Sequence, residues 1–379
     1  MHIAFLTPEF PHEATSKVGG LGTSIYNLVS ALVLENVRVT VFCYSQLKDA
    51  IYDESGFQLQ LIKKRDYPIG GWYLYRKYIN SYVSKQINQN QIDIIEAPDW
   101  TGITAFMSFK IPLVIRFHGS DTYFCHLEKR KQKWKNHYLE TKAFSTAQAF
   151  IAPTDFAGKL SKQLFKIKNK RIQTIHYGLD IKRFENTQPL NYNQGEILYL
   201  GTIIRKKGVF ELPQIFSLVK QKFPNAKLKL IGSDSQDAKT QKSTWQILKE
   251  QFHPDDNSQV SYLGKIPYEE VEQHINSANV CVFPTYAETL GMVTIESMAL
   301  KKAVVNSNIG WAQELMEDGK SGYLVHPQSH KEYSEKIVSL LNDQEKTLQF
   351  GKQARLFVET HFNIITQAQK NIDFYKALI

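Results

Sequence analysis

Val280-Cys-Val-Phe-Pro284, then Thr-Tyr-Ala-Glu288-Thr-Leu-Gly-Met-Val-Thr-Ile-Glu296-Ser-Met-Ala-Leu300 and Lys301-Lys302, is the stretch that decides the fold. A short apolar run of β-branched and aromatic residues closed by Pro284 reads as a buried strand. From Leu290 onward, Leu290, Val293, Met298 and Leu300 suit a helix. Thr289 is its expected N-cap, and Lys301 and Lys302 are placed to complement its C-terminal dipole. Strand, loop and helix therefore meet near Glu288. In a parallel sheet that junction lies at the C-terminal edge, where the amides of Thr289 to Met292 would face a phosphorylated ligand. Gly291 allows close approach to the backbone. Glu288 and Glu296 would lie about 12 Å apart along a helix and about 80° out of phase with whole turns, so both can face one side. A nucleotide-sugar fits the pattern, with its diphosphate on the helix N-terminus, its sugar near one glutamate and its ribose diol on the other. Two solvent-facing helix residues fit it too.

Working outward, alternating strands and helices fill residues 1–185. Strands are expected at Ile3–Leu6, Val37–Cys43, Ile92–Glu96, Leu113–Phe117, Ala149–Ala152 and Ile172–Ile175. This rhythm predicts a parallel doubly wound sheet. After the first strand comes Lys17-Val-Gly19-Gly20-Leu-Gly22, whose glycines open a helix at the sheet edge and could face a phosphate or an acceptor hydroxyl. The spacing is not the dinucleotide fingerprint, which disfavours a dehydrogenase. Arg116-Phe-His118-Gly119-Ser-Asp121 ends another strand at the same edge, making His118 and Asp121 candidates.

Past the polar stretch 185–195, expected to be the interdomain linker, the strand Ile197–Leu200 leads into Gly201-Thr-Ile-Ile-Arg205-Lys206-Lys207-Gly208. Three cations between a strand and a helix are well placed to neutralise a departing diphosphate. Strands at Leu228–Ile231, Val260–Leu263 and Val304–Asn306 follow. The second of them ends at Gly264-Lys265.

Several of these motifs resemble those of the retaining glycosyltransferases of family 4, which have the GT-B fold, and the resemblance covers nearly the whole chain. ETLGMVTIESMAL is similar to the family's paired-glutamate signature. That likeness implies that Glu296 holds the ribose hydroxyls and that Glu288 contacts the donor sugar. The loop at Lys17 resembles that of glycogen and starch synthases, so Lys17 would touch the donor phosphates, with Gly19 and Gly20 beside it. His118-Gly119 is similar to the family pair whose histidine reaches the transferred sugar. Gly201 to Gly208 resembles Gly-Arg-x-x-x-x-Lys-Gly: Lys207 matches the family lysine, whereas Thr202 stands at the arginine position and Arg205 is the candidate to supply that charge. Gly264 and Lys265 fall where the family contacts the base. Gly178 and Asp180 match the segment leaving the N-terminal domain, with Tyr177 in place of an asparagine.

The resemblance implies two doubly wound Rossmann-like domains facing across a cleft. Residues 1–185 would bind the acceptor, residues 186–363 the nucleotide-sugar donor, and a helix at 364–379 would pack back on the first domain. It also implies a retaining hexosyltransferase. Its donor is a UDP-, GDP- or ADP-sugar and its acceptor is a saccharide or is lipid-linked, in polysaccharide or glycolipid synthesis. Neither cofactor nor metal is expected, since cations replace an Asp-x-Asp motif. Two alternatives remain: a GT-B protein that binds nucleotide-sugars without turnover, and a nucleotide-sugar epimerase of the same fold.

Composition fits this reading. The 379 residues suit two domains, and 42% hydrophobic with 12% aromatic content supports real cores. A formal charge of +9 favours anionic partners, with nucleic acid the weakest because no nucleic-acid motif is present. Cys43, Cys125 and Cys281 lack metal-ligand spacing and read as reduced thiols. No leader or spanning segment is read, so a cytoplasmic location is expected, with peripheral contact at the inner face of an anionic membrane. Two segments offer that contact: the aromatic-basic residues 67–85, and 159–171, KLSKQLFKIKNKR, with six basic residues and no acid. The alternative for each is a solvated helix packed on its own sheet.

Overall fold

The computed structural model describes residues 1–16 and 19–379. The chain divides into two compact units, residues 1–178 with 364–379, and residues 179–363.

The first unit runs β1 (His2–Thr7), α1 (Gly20–Leu34), β2 (Arg38–Gln46), β3 (Ala50–Asp53), β4 (Phe57–Lys63), α2 (Gly71–Asn90), β5 (Ile94–Pro98), β6 (Leu113–Arg116), α3 (Asp121–Leu127), α4 (Trp134–Thr146), β7 (Ala149–Ala152), α5 (Asp155–Leu164) and β8 (Arg171–Thr174). Its sheet order is β3-β4-β2-β1-β5-β6-β7-β8, parallel except for β3. Strands such as β1 and β7 are buried at every position because core lies on both faces of the sheet, which is why they read as continuous apolar runs. The β3–β4 ribbon escaped the sequence reading. Glutamines at 58 and 60 interrupt β4, yet Gln60 is buried and satisfied by Gln86 and by the Tyr82 hydroxyl at 2.9 Å.

The second unit runs β9 (Glu196–Leu200), α6 (Leu212–Lys222), β10 (Lys227–Ile231), α7 (Thr244–Lys249), β11 (Val260–Tyr262), α8 (Tyr268–Ser277), β12 (Val280–Phe283), α9 (Met292–Ala299), β13 (Ala303–Ser307), β14 (Tyr323–Val325), α10 (His330–Asn342) and α11 (Gln344–His361). Its six strands are parallel in the order β11-β10-β9-β12-β13-β14. The order reverses between β9 and β12, and the loops after those two strands flank the crevice that such a reversal opens.

α12 (Ile364–Lys376) returns to the first unit and packs on α1. It supplies a polar clamp as well as apolar cover. Arg116 forks onto Glu96 at 2.7 and 2.9 Å and also donates to Asn371 Oδ1 at 2.5 Å, while the Tyr375 hydroxyl donates to Glu96 at 2.5 Å.

Three expectations are corrected. The polar stretch 185–195 is not the joint: the division falls after Gly178, and Asn186 is fixed to the Leu300 carbonyl at 3.0 Å within the second unit. Residues 159–171 do not present an apolar face outward, because Leu164, Phe165 and Ile167 pack into the core of the first unit. Lys302 does not serve the end of α9. It is buried and donates to the carbonyls of Asn276 and Ala278 at 2.7 and 3.0 Å, closing the C-terminus of α8 instead.

Candidate functional site

The loops after β9 and β12 are locked together by backbone. Tyr286 N–H donates to the Lys206 carbonyl at 2.9 Å, and Gly208 sits at φ +69 with the Pro284 carbonyl 1.7 Å from where a Cβ would stand. Only glycine permits that approach. The contact sets the Lys207 ammonium on Glu288, to which it donates a hydrogen bond. Their side chains are 16% and 20% exposed, so the pair is partly open to a ligand. Burial, with Lys206 beside it, pushes the Lys207 ammonium down to about 7.

The helix beyond begins later than expected. Its cap is Gly291 at φ 100, with no side-chain cap bond, so Thr289 is not the N-cap. Thr289 and Leu290 are buried in the approach to it. Gly291 packs over the Trp311 ring, which fixes where the positive end of α9 points. Glu296 is on α9 and only 8% exposed; it accepts from the Tyr268 hydroxyl at 2.9 Å. Burial drives its carboxyl up to about 7, although that bond pulls the other way. Arg183 lies over the Tyr268 ring at 5.2 Å. Neither Tyr268 nor Arg183 was singled out in the sequence, since each lies far along the chain from Glu296.

Arg205 is not brought to this pair. It forks onto Asp237 at 2.9 and 3.1 Å and stacks on Phe210 at 4.4 Å, and its hydrogen bonds hold the Asp237 carboxyl down to about 2. Its charge is thus already compensated. Gly264, at φ +70, accepts from Gly232 N–H at 2.9 Å, and Lys265 beside it is exposed.

In the first unit His118 follows β6. Its backbone N–H and that of Gly119 donate to Asp99 at 2.9 and 3.3 Å. Tyr177 stacks on the imidazole at 5.5 Å, and its hydroxyl lies 2.8 Å from Nδ1. That hydroxyl also reaches the Phe117 carbonyl at 3.2 Å; when its proton goes there, Nδ1–H is the donor to it and Nε2 is left as an acceptor. Burial and Arg116 push the imidazole down to about 3, keeping it neutral. Tyr177→Phe should lower turnover about fivefold, the worth of one neutral hydrogen bond, while lowering the melting temperature by only a few degrees. Steady-state rates beside a melting curve check it.

Gly19 and Gly20 do open α1, but a carboxylate already stands there. Glu9 accepts from Gly22 N–H at 2.8 Å and lies 2.8 Å from where a Gly19 Cβ would be. A phosphate at this helix start would meet like charge, so the geometry favours a hydroxyl. Asp121 is tied to Arg130 at 3.1 Å and Asn136 at 2.9 Å at the start of α3. Lys17 lies outside the described residues.

Residues 18–183 match the family model described as Glycosyltransferase Family 4, and residues 180–357 the one described as Glycosyl transferases group 1. The chain is 30% identical over 200 residues to the capsular polysaccharide biosynthesis glycosyltransferase CapM of Staphylococcus aureus, covering 51% of this chain and 49% of that one. Its fold is similar to sucrose-phosphate synthase from Thermosynechococcus elongatus, with a TM-score of 0.81 at 19% identity over 100% and 98% of the two chains. It is also similar to Anabaena HepE in complex with UDP, with a TM-score of 0.76 at 18% identity over 100% of both chains.

Proposed function

Because the chain belongs to the family 4 glycosyltransferases with the GT-B fold, we propose that it transfers a hexose from a nucleoside-diphosphate sugar to a saccharide or lipid-linked acceptor with retention of configuration. The transfer would serve cell-surface polysaccharide or glycolipid synthesis. The observation that carries the reading is the half-buried Lys207–Glu288 pair at the sheet reversal, one helix start away from Glu296. The diphosphate lies at Lys207 and the N-terminus of α9, the ribose diol donates to Glu296, and Glu288 orients the sugar. Gly264 and Lys265 are assigned to the base. His118 Nε2 accepts from a sugar hydroxyl, and Glu9 beside Gly19 and Gly20 accepts from the acceptor.

In the chemical step the acceptor oxygen bonds to the anomeric carbon on the face that the diphosphate leaves, and the leaving phosphate takes the acceptor proton. The ammonium and helix dipole carry the charge of the departing group, so the reaction should run in EDTA. The test is a panel of UDP-, GDP- and ADP-sugars with EDTA present. At about 100 times its Kd the right donor adds roughly 2.7 kcal/mol, seen as a raised melting temperature. An unmoved melting curve with every donor would sink the proposal. The anomeric configuration of the product, read by NMR, tests retention.

Donor affinity should fall below about pH 7, up to tenfold per pH unit, because Glu296 must be ionised to accept the diol and its carboxyl is up at about 7; turnover should fall above it, because the Lys207 ammonium that meets the leaving group is down at about 7. Calorimetric Kd and steady-state kcat at pH 6, 7 and 8 check the two limbs. Glu296→Gln should weaken binding and abolish the acid limb. The same carboxyl sets a stability sign. Its folded value lies above the ordinary 4.5, so its stabilising contribution is present below 4.5 and lost as pH rises through about 7. Glu296→Gln without donor should therefore melt higher than wild type at pH 8.

A further inference from the structure

We propose that one face of the N-terminal unit, made by the start of α2, the segment 100–109 and α4, docks onto an anionic lipid bilayer.

The structure splits the aromatic-basic segment 67–85 into two groups. Tyr75, Tyr78 and Tyr82 turn inward against the core. Trp72 and Tyr73 turn outward and meet rings from elsewhere in the chain: Phe106 lies 5.9 Å from Trp72 and 5.3 Å from Tyr73, and Tyr138 lies 6.2 Å from Phe106. Phe106 reaches this cluster from a left-handed backbone, φ 65, which a bulky residue adopts only when its surroundings impose it. Trp134, at the start of α4, is 80% exposed, and Ile69 before α2 is 85% exposed. Large apolar side chains left in water as a group mark a surface meant to be covered.

Charge identifies the cover. Lys77 sits over Tyr73 at 5.8 Å, Lys135 over Trp72 at 5.5 Å and Lys142 over Tyr138 at 5.9 Å. α2 contains no acidic residue, and the single acid of α4, Glu140, is buried, accepting from the amides of Asp121 and Thr122. The segment leading into α4, Lys129-Arg-Lys-Gln-Lys133, adds four cations, of which Arg130 is paired with Asp121 and Glu128. Tryptophan and tyrosine at headgroup depth with lysines reaching phosphate oxygens is the composition of a membrane-surface contact. A sugar-binding face would place carboxylates or amides beside the rings to accept hydroxyl protons, and the three ring-capping side chains here are lysines.

The inference rests on the transferase reading only for its purpose, delivery of a lipid-linked acceptor. Vesicle binding is therefore measured without donor, and donor binding without vesicles, so that either can fail alone. The full chain is sedimented with vesicles of equal parts phosphatidylglycerol and phosphatidylcholine, and with phosphatidylcholine alone. Binding is expected to the anionic vesicles, weakened at 0.5 M salt, with a blue shift of tryptophan emission. Lys77→Ala with Lys135→Ala should weaken partitioning about 25-fold, at about fivefold per lysine. Trp72→Ala with Trp134→Ala should shrink the blue shift to what Trp100 of the same face supplies, and Lys162→Ala on α5 should change nothing. Melting curves confirm that the variants remain folded. Equal binding to both vesicle types, or wild-type binding by both double variants, would overturn the proposal. So would retention of a soluble anionic polysaccharide, dextran sulfate, with no vesicle binding.

Discussion

Lys207→Ala is expected to cut turnover by about 10²–10³-fold, the cost of removing one preorganised donor to a developing negative charge, while changing donor Kd far less. The ammonium is held at the sheet reversal by backbone contacts that alanine leaves intact: the bond from Tyr286 N–H to Lys206 and the close fit of Gly208 under Pro284. What disappears is the charge that meets the leaving diphosphate, and it matters more as the bond breaks than in the bound ground state. Alanine also takes the Lys207 ammonium away from Glu288, so a melting curve must accompany the kinetics. The double variant Lys207→Ala, Glu288→Ala separates the effect of the remaining carboxylate from lost catalysis. Steady-state kcat with calorimetric Kd is the measurement. Wild-type kcat in a folded Lys207→Ala would remove the leaving-group role.

Arg116→Ala should destabilise the N-terminal unit by about 3–5 kcal/mol, because it leaves Glu96 charged and buried without its cation. Both side chains are only 3% exposed. The loss reaches further than one pair, since the same guanidinium donates to Asn371. The melting transition of this unit should fall by roughly 10 °C. Tyr375→Phe, which removes one hydroxyl from Glu96, should lower it much less. Equal melting of wild type and Arg116→Ala would show that the clamp contributes nothing.

The strands that line the reversal were legible because burial on both faces makes them unbroken apolar runs, as in Val280–Phe283. β4 was not, since its buried Gln60 is satisfied by residues of α2 that sequence order does not reveal. Lys207, Glu288 and Glu296 could be read from their loops and spacing. Their partners could not. Tyr268 reaches Glu296 across 28 positions and Asp237 draws Arg205 aside across 32, pairings that exist only once β10 and β11 stand beside β9. Glu9 was within view, but its return to the start of α1 depends on the turn taken after β1. The basic run at 159–171 stood between two readings, because periodicity finds an apolar stripe without saying which surface covers it; the structure selects the second, packing on its own core.

The helix α12 also bears on how the polypeptide is made. Residues 179–363 are contiguous and complete as a unit when they leave the ribosome, whereas the unit that contains the N-terminus waits for residues 364–379. Until then the α1 surface is uncovered, and Arg116 and Glu96 lack Asn371 and Tyr375. The usual order, in which the N-terminal domain folds first during synthesis, is therefore inverted for its final step. A premature stop codon in the last helix would damage the half of the protein that was translated first.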